Sequence, residues 1–271
     1  MQCEAARKTL DEGQFDTACT FFAVDASGPA GIVVVRAGEG VGRLELIAVR
    51  EDVRRCGLAQ RLLDLAVVAA RAKGLQRLVA AQVHCGNEAG VGLLKAAGFV
   101  GRSQGGLRMR RLLDGAWPAL AAPDGFMLRA LRPGEAEAWV RLKNACFRED
   151  GGEDWTREHF QREFVDNPVY DLERILVAVQ GNVLAGTTSA WEVDYGAGGV
   201  GLIHWVGVDP TYRGRGLGEA LMIRALNELV ARGYEDAWLS TGRERGAAVR
   251  LYERLGFAVE RELFMYALEM A

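Results

Sequence analysis

The chain states one pattern twice. The segment "LIAVREDVRRCGLAQRLLDLAV" (46–67) reads in step with "WVGVDPTYRGRGLGEALMIRAL" (205–226). Each runs from an apolar strand to a valine, four residues, an arginine, then x-x-G-x-(A/G) and an amphipathic helix. The first copy supplies Val49, Arg54, Gly57 and Ala59; the second supplies Val208, Arg213, Gly216 and Gly218. Downstream, "NEAGVGLLKAAGFV" (87–100) matches "RGAAVRLYERLGFA" (245–258). Gly57 and Gly216 lie 159 positions apart; the Gly-Phe pairs at Gly98 and Gly256 lie 158 apart. Two separate motifs at nearly one spacing mean two related domains.

The boundary falls near "DGAWPALAAPDGF" (114–126), where Pro118, Pro123 and two Asp-Gly steps interrupt any helical or strand period. The expected organisation is a first domain over 1–113, a linker over 114–125 and a second domain over 126–271. In the second, strands are expected at 126–131, 174–179, 183–193, 200–208 and 236–240, with closing strands near 257–260 and 262–268. Helices are expected at 134–147, 156–165, 217–232 and 246–255. Leu217, Leu221, Met222, Leu226, Leu229 and Val230 recur at helical spacing in the third of these. "VQGNV" (179–183) reads as a hairpin turn. The first domain repeats the later part: strands near 20–25, 31–36, 43–49 and 77–81, and helices at 58–73 and 88–97. Ahead of them there is room only for a short helix around 4–10, so it reads as a truncated copy, without catalytic function. Each unit is α+β, a mostly antiparallel sheet flanked by helices.

Composition narrows the function. The net charge of -3 argues against a nucleic-acid partner, which usually meets a basic excess. No apolar run approaches the ~20 residues of a membrane span; "LLDLAVVAA" (62–70) is short and bracketed by Arg61 and Arg71. Met1 is followed by a charged segment, and five cysteines without a C-x-x-C pair fit a reducing compartment, so the expected location is the cytoplasm. His84, His159 and His204 are far apart, and no metal site is expected. Cys146 and Cys85 read as buried thiols.

"RGRGLG" (213–218), between a strand and a helix, suits a diphosphate. A helix start leaves backbone N–H groups unpaired and partly positive. Glycines at 214, 216 and 218 let a ligand approach, and Arg213 and Arg215 add charge. No Gly-Lys-Ser/Thr follows, so this is not a Walker loop. Considered alone, such a loop could equally be a plain turn.

"VGVDPTYRGRGLGEAL" followed by "RLYERLGF" closely resembles the GNAT superfamily of acyl-CoA N-acyltransferases, and both copies carry the R-x-x-G-x-(G/A) loop. The tandem layout is similar to that of mycothiol synthase-like members. The resemblance implies acetyl-CoA as acyl donor. Val206, Gly207 and Val208 would touch pantetheine, on a strand that splays from its neighbour. Arg213, Gly214, Arg215, Gly216, Leu217 and Gly218 would cradle the pyrophosphate. The resemblance also implies Tyr252 as the proton donor to the leaving thiolate, a place held by Leu94 in the first copy. Asn87 of the first copy becomes Arg245 in the second, so Thr241 and Arg245 are candidates to replace that asparagine.

The general base is open. His204 lies two residues before the pantetheine stretch; strand alternation puts it on one face with Leu202, Val206 and Val208, where it could equally be a core histidine. Glu192 and Asp194 end the preceding strand and could act directly or through water, or be solvated hairpin charges. Glu153, Asp154 and Trp155 fall where the resemblance puts the acceptor. The leading expectation is an acetyl-CoA-dependent N-acetyltransferase acting on a primary amine of a small molecule or protein. The alternative is an acyl-CoA-binding sensor without turnover. A cysteinyl-thiol synthase of the mycothiol type is disfavoured by the shortened first half and by "LIHWV" (202–206), which has no carboxylate. The acceptor's identity and the oligomeric state carry no readable motif.

Overall fold

The computed structural model describes residues 16–115, 117–118, 120–150, 154–166, 171–194 and 199–270. The expected helix around 4–10 and Glu153 lie outside the described residues. Two compact units emerge. The first comprises residues up to Arg108, Thr241–Val249 and the chain from Val259 on; the second comprises Met109–Ser240 and Arg250–Ala258.

The first unit holds β1 (Phe21–Asp25), β2 (Gly28–Ala37), β3 (Val41–Val49), helix α1 (Leu58–Ala72), β4 (Arg77–His84) and helix α2 (Glu88–Ala96), then most of β5 (Val100–Leu112). β1, β2 and β3 form an antiparallel meander, and β3 meets β4 in parallel. The run Val33–Val35 of β2 is fully buried, as β-branched residues on a covered strand should be. α1 turns Leu62, Leu63, Ala66, Val67 and Ala70 into this core. Leu65 and Val68 point outward, so its apolar stripe is wider than its buried face.

The second unit holds β6 (Met127–Ala130), helix α3 (Ala136–Phe147), the short helix α4 (Arg157–Phe160) continued by a π-helical turn (Gln161–Val165), β7 (Ile175–Gln180), β8 (Val183–Asp194), β9 (Gly199–Val208) and helix α5 (Leu217–Ala231). β10 (Asp236–Gly242) follows, with most of its length in this unit. The strand order is β10-β9-β8-β7-β6, antiparallel except for β9 with β10. Helices cover both faces. Gly201 is closed off by Leu229 of α5, whereas Gly207 lies against Cys146 and Phe147 of α3. Burial on both sides explains why β7 is an unbroken apolar run rather than an alternating one. The hairpin expected at 179–183 forms, with Gly181 at φ 58 and Gln180 paired to Val183.

Two expectations need revision. The closing segment is one strand, β11 (Ala258–Glu269), preceded by helix α6 (Gly246–Arg254). The units also do not follow the linear split at 114–125. β11 pairs antiparallel with β4, from Leu263 opposite His84 to Glu269 opposite Arg77, and Tyr266 and Met270 enter the first core. The last strand of the second repeat thus completes the first unit, because an open β4 edge and an apolar face need covering. β5, long and Arg-rich, was also absent from the sequence reading: its alternation is broken by the run Gly105–Gly106.

Candidate active site

The loop between β9 and α5 is held by main-chain geometry. Asp209 accepts the N–H and hydroxyl of Thr211, and a short 3-10 turn (Pro210–Tyr212) leads into the glycines. Gly214 and Gly216 take φ 76 and 79, a left-handed backbone that favours glycine. Gly216 is the N-cap of α5 and brings no side chain to it. The N–H groups opening a 15-residue helix are therefore left to a ligand or water. Leu217 is buried and pins this start in place. Gly218 lies beneath a second helix. A Cβ there would meet Leu251 of α6 at 3.5 Å, an ordinary packing distance.

Arg213 is engaged within the protein. Its Nε donates to Val208 O at 3.2 Å, and its guanidinium reaches Cys146 O and Glu149. It ties the end of β9 to α3. Arg215 stays exposed, 5.5 Å over the Tyr212 ring, and is the loop's outward cation.

β9 shows two irregularities that make it suited to a ligand. Its parallel pairing with β10 is confined to Gly201 and Leu202, so Ile203 to Val208 splay from that neighbour, as expected for the pantetheine strand. It also carries a bulge. Thr187 pairs with Gly207 but Ser189 with His204, one extra residue on β9. Trp205 sits there at φ 54. A bulky side chain in this region costs about 1–3 kcal/mol. Trp205 offsets it through edge-on contacts with Trp155 (4.6 Å), Phe147 (5.8 Å) and Trp139 (6.1 Å), each worth about 0.5–1.5 kcal/mol.

The bulge corrects one expectation about His204. A single inserted residue reverses which face the following side chains occupy. His204 and Trp205 stay together, rings 4.6 Å apart, on the α3 side with Leu202. Val208 instead approaches Gly218 of α5 on the other side. His204 is therefore separated from Val206 and Val208 and opens toward an aromatic wall of Trp191, Trp205 and Trp155. Its ring keeps 39% of its surface, yet the walls strip enough water to pull its pKa down to about 4, so it is neutral near pH 7. Facing it is Glu163 of the π turn, whose Oε1 is 3.9 Å from Nδ1 and accepts the Trp205 indole N–H at 3.3 Å. Lys143 of α3 lies 4.8 Å over the Trp155 ring. Asn144 clamps Trp155 by both main-chain groups, at 2.9 and 2.8 Å.

The other candidates fall out differently. Tyr252, on α6, is buried and packs edge-on against Phe257. Glu192 is not brought to His204: it lies opposite Gly201, three residues along β9, roughly 10 Å away by strand rise. Its carboxylate accepts the Tyr234 hydroxyl at 2.6 Å and faces Arg174 at 3.6 Å, a structural commitment. Arg245 belongs to the first unit, where its N–H closes a turn on Gly242 O just before α6. Thr241, also there, is a buried hydroxyl. Cys146 is buried beside Gly207, its thiol pushed up to about 12, and is no nucleophile. Cys85, expected to be buried, is exposed in the turn after β4.

The first copy preserves the loop but carries Leu94 where the second has Tyr252. Arg54 Nε donates to Val49 O at 3.0 Å, the same contact Arg213 makes. Arg55 and Gly57 hold φ 66 and 81, matching Gly214 and Gly216. The bulge of β3 is displaced, with Glu45 skipped between Leu44 and Leu46, so residues 46–49 pair regularly with β2. Leu94, in place of Tyr252, is a core residue. Asn87 caps α2 through Gly90 N–H, which accounts for it structurally.

Comparison with known proteins agrees with this geometry. Residues 3–99 and 136–257 match the "Acetyltransferase (GNAT) family". A "Mycothiol acetyltransferase" of Thermobispora bispora is 37% identical over 168 residues, 60% of this chain and 57% of that protein. Another, from Thermomonospora curvata, is 33% identical over 243 residues, 87% of this chain and 72% of that one. Against the Thermobispora and Salinispora tropica relatives the chain spans just over half and half of their length. Among solved structures, a GCN5-related N-acetyltransferase from Sphaerobacter thermophilus superposes with TM-score 0.78 at 23% identity, covering 98% of this chain and 84% of that one. A tandem GNAT protein from the clavulanic acid biosynthesis pathway gives 0.76 at 19%, covering 94% and 85%. With the signature loop recurring in both halves and the family match covering both, this chain belongs to the GNAT acetyltransferase family.

Proposed function

We propose that the second unit is an acetyl-CoA-dependent N-acetyltransferase acting on a primary amine. The observation that carries this reading is the continuity of the splayed, bulged end of β9 with the uncapped start of α5. One offers strand-edge main chain to an extended amide-bearing chain; the other offers N–H groups to a diphosphate. Acetyl-CoA, when bound, supplies an activated thioester carbonyl. Val206 and Gly207 lie where main-chain N–H could polarise that carbonyl. In this reading neutral His204 takes a proton from an incoming ammonium, and Tyr252 donates one to the departing thiolate. Glu192 is left out of this assignment because Tyr234 and Arg174 hold its carboxylate.

The relatives' names favour a small-molecule acceptor over a protein. They also favour a mycothiol-type substrate, against which the absence of a carboxylate in "LIHWV" (202–206) speaks. The coarser reading, a small amine, is the one retained. The described helices include none long and apolar enough to cross a membrane.

The test is Gly216→Asp. Aspartate places a negative charge at the amides that open α5. The variant should fold with a modestly lowered melting temperature, since a side chain on the left-handed backbone of Gly216 costs roughly 1–2 kcal/mol, while calorimetric coenzyme A affinity falls by ~100-fold or more, as when an anion site gains a like charge. Undiminished affinity in the folded variant overturns the reading.

A further inference from the structure

Glu163 was invisible in the sequence, where "REHFQREFV" (157–165) reads as ordinary amphipathic helix. The structure breaks that helix. α4 lasts one turn and gives way to a π-helical turn over Gln161–Val165, a rare geometry that often marks functional positions. The wider turn carries Phe164 into the core, fully buried against Trp139 and Trp191. Glu163 is thereby presented to the bulge of β9. One of its oxygens serves two neighbours that the bulge brings together: the Trp205 indole N–H at 3.3 Å and His204 Nδ1 at 3.9 Å.

We propose that Glu163 is a positioning residue for acetyl transfer: it fixes the His204 imidazole with hydrogen on Nδ1 and the Nε2 lone pair turned toward the acceptor amine, while clamping Trp205 at the bulge. This rests on the function proposed above. The proton bookkeeping is simple. An alkylammonium gives one proton to Nε2, leaving a neutral amine and an imidazolium, and the Glu163 carboxylate balances the new charge across Nδ1–H. Desolvation alone makes His204 a weak base. A carboxylate close by in a water-poor recess is the physical means of strengthening it when the proton arrives. The 3.9 Å separation is longer than a hydrogen bond, and such contacts tighten once substrate excludes water.

Other groups around the ring do not substitute for Glu163. From α3, Lys143 lies over Trp155 and 6.0 Å from the Trp205 ring, and as a cation it opposes imidazolium formation. From α4, His159 stacks on Trp155 at 5.9 Å and its Nδ1 accepts the Thr156 N–H. From β8, Trp191 packs edge-on to the ring, and Ser189 and Thr188 hydroxyls bond the His204 carbonyl, not its ring.

The experiment compares the full chain with Glu163→Gln, whose amide oxygen can still accept the Trp205 indole N–H but carries no charge. Side-chain nitrogen NMR at neutral pH should show His204 in the parent with hydrogen on Nδ1, and in the variant a mixed or reversed tautomer and a lower pKa. The Trp205 indole proton should shift little. With an accepted amine, kcat/KM should fall by ~10-fold or more, the scale of a disabled acid–base group, with its acidic limb moved to lower pH and coenzyme A affinity retained. An Nε2–H tautomer in the parent, or an unchanged tautomer and pKa in the variant, overturns the inference. The NMR result decides even if no amine is acetylated; that second failure would count against the proposed function alone.

Discussion

At the residue scale, the site depends on side chains whose neighbours differ from their sequence neighbours. Tyr252 is proposed as the acid on its motif alone, and the residue is buried against Phe257. Tyr252→Phe should leave coenzyme A affinity intact and lower kcat by about 100-fold or more, the usual worth of a general acid; steady-state rates with calorimetry check this. His204 was legible as a candidate because a histidine near a pantetheine strand is conspicuous. Its partners were not. Glu163 stands 41 positions earlier, and nothing in "REHFQREFV" signals a π turn. Glu192 had the opposite fate. It is a plausible base by position, but Tyr234 and Arg174, far away in sequence, claim its carboxylate.

At the element scale, helices and strands were mostly readable, because apolar period and glycine punctuation act locally. β9 and α5 fall within a residue or so of where periodicity puts them. The bulge was not readable. A strand gains one residue only when the pairing of a neighbour permits it, and that pairing is a tertiary fact. Gly207 shows what the bulge requires. Its would-be Cβ meets Cys146 Cβ at 2.9 Å and Sγ at 3.0 Å, so α3 rests directly on this strand. Gly207→Val should force α3 outward, cost about 1–3 kcal/mol of stability by overpacking, and weaken coenzyme A binding in proportion to the displaced strand. Thermal unfolding measures the first effect and calorimetry the second; stability and affinity both at parental values would show that α3 yields freely.

At the scale of the whole molecule, the repeat predicted two units but not where each one ends. β11 supplies the antiparallel partner of β4 and places Tyr266 and Met270 in the first core. Burying two such side chains is worth about 3–6 kcal/mol, comparable with the ~5–15 kcal/mol of a typical domain. Removing residues 259–271 should therefore unfold the first unit, read as lost protection of β4 amides in hydrogen exchange. Full protection of those amides would refute the exchange. The sequence by itself determined the family, the tandem order, the helix-opening glycine loop and the leucine that stands at 94 in place of Tyr252, because each is written in contiguous residues whose spacing acts on the nearby backbone. Only the tertiary structure decided the bulge at Trp205, the meeting of Glu163 with His204, the capture of Glu192 and the crossing of β11, because each depends on segments distant along the chain competing for the same hydrogen bonds and the same apolar surface.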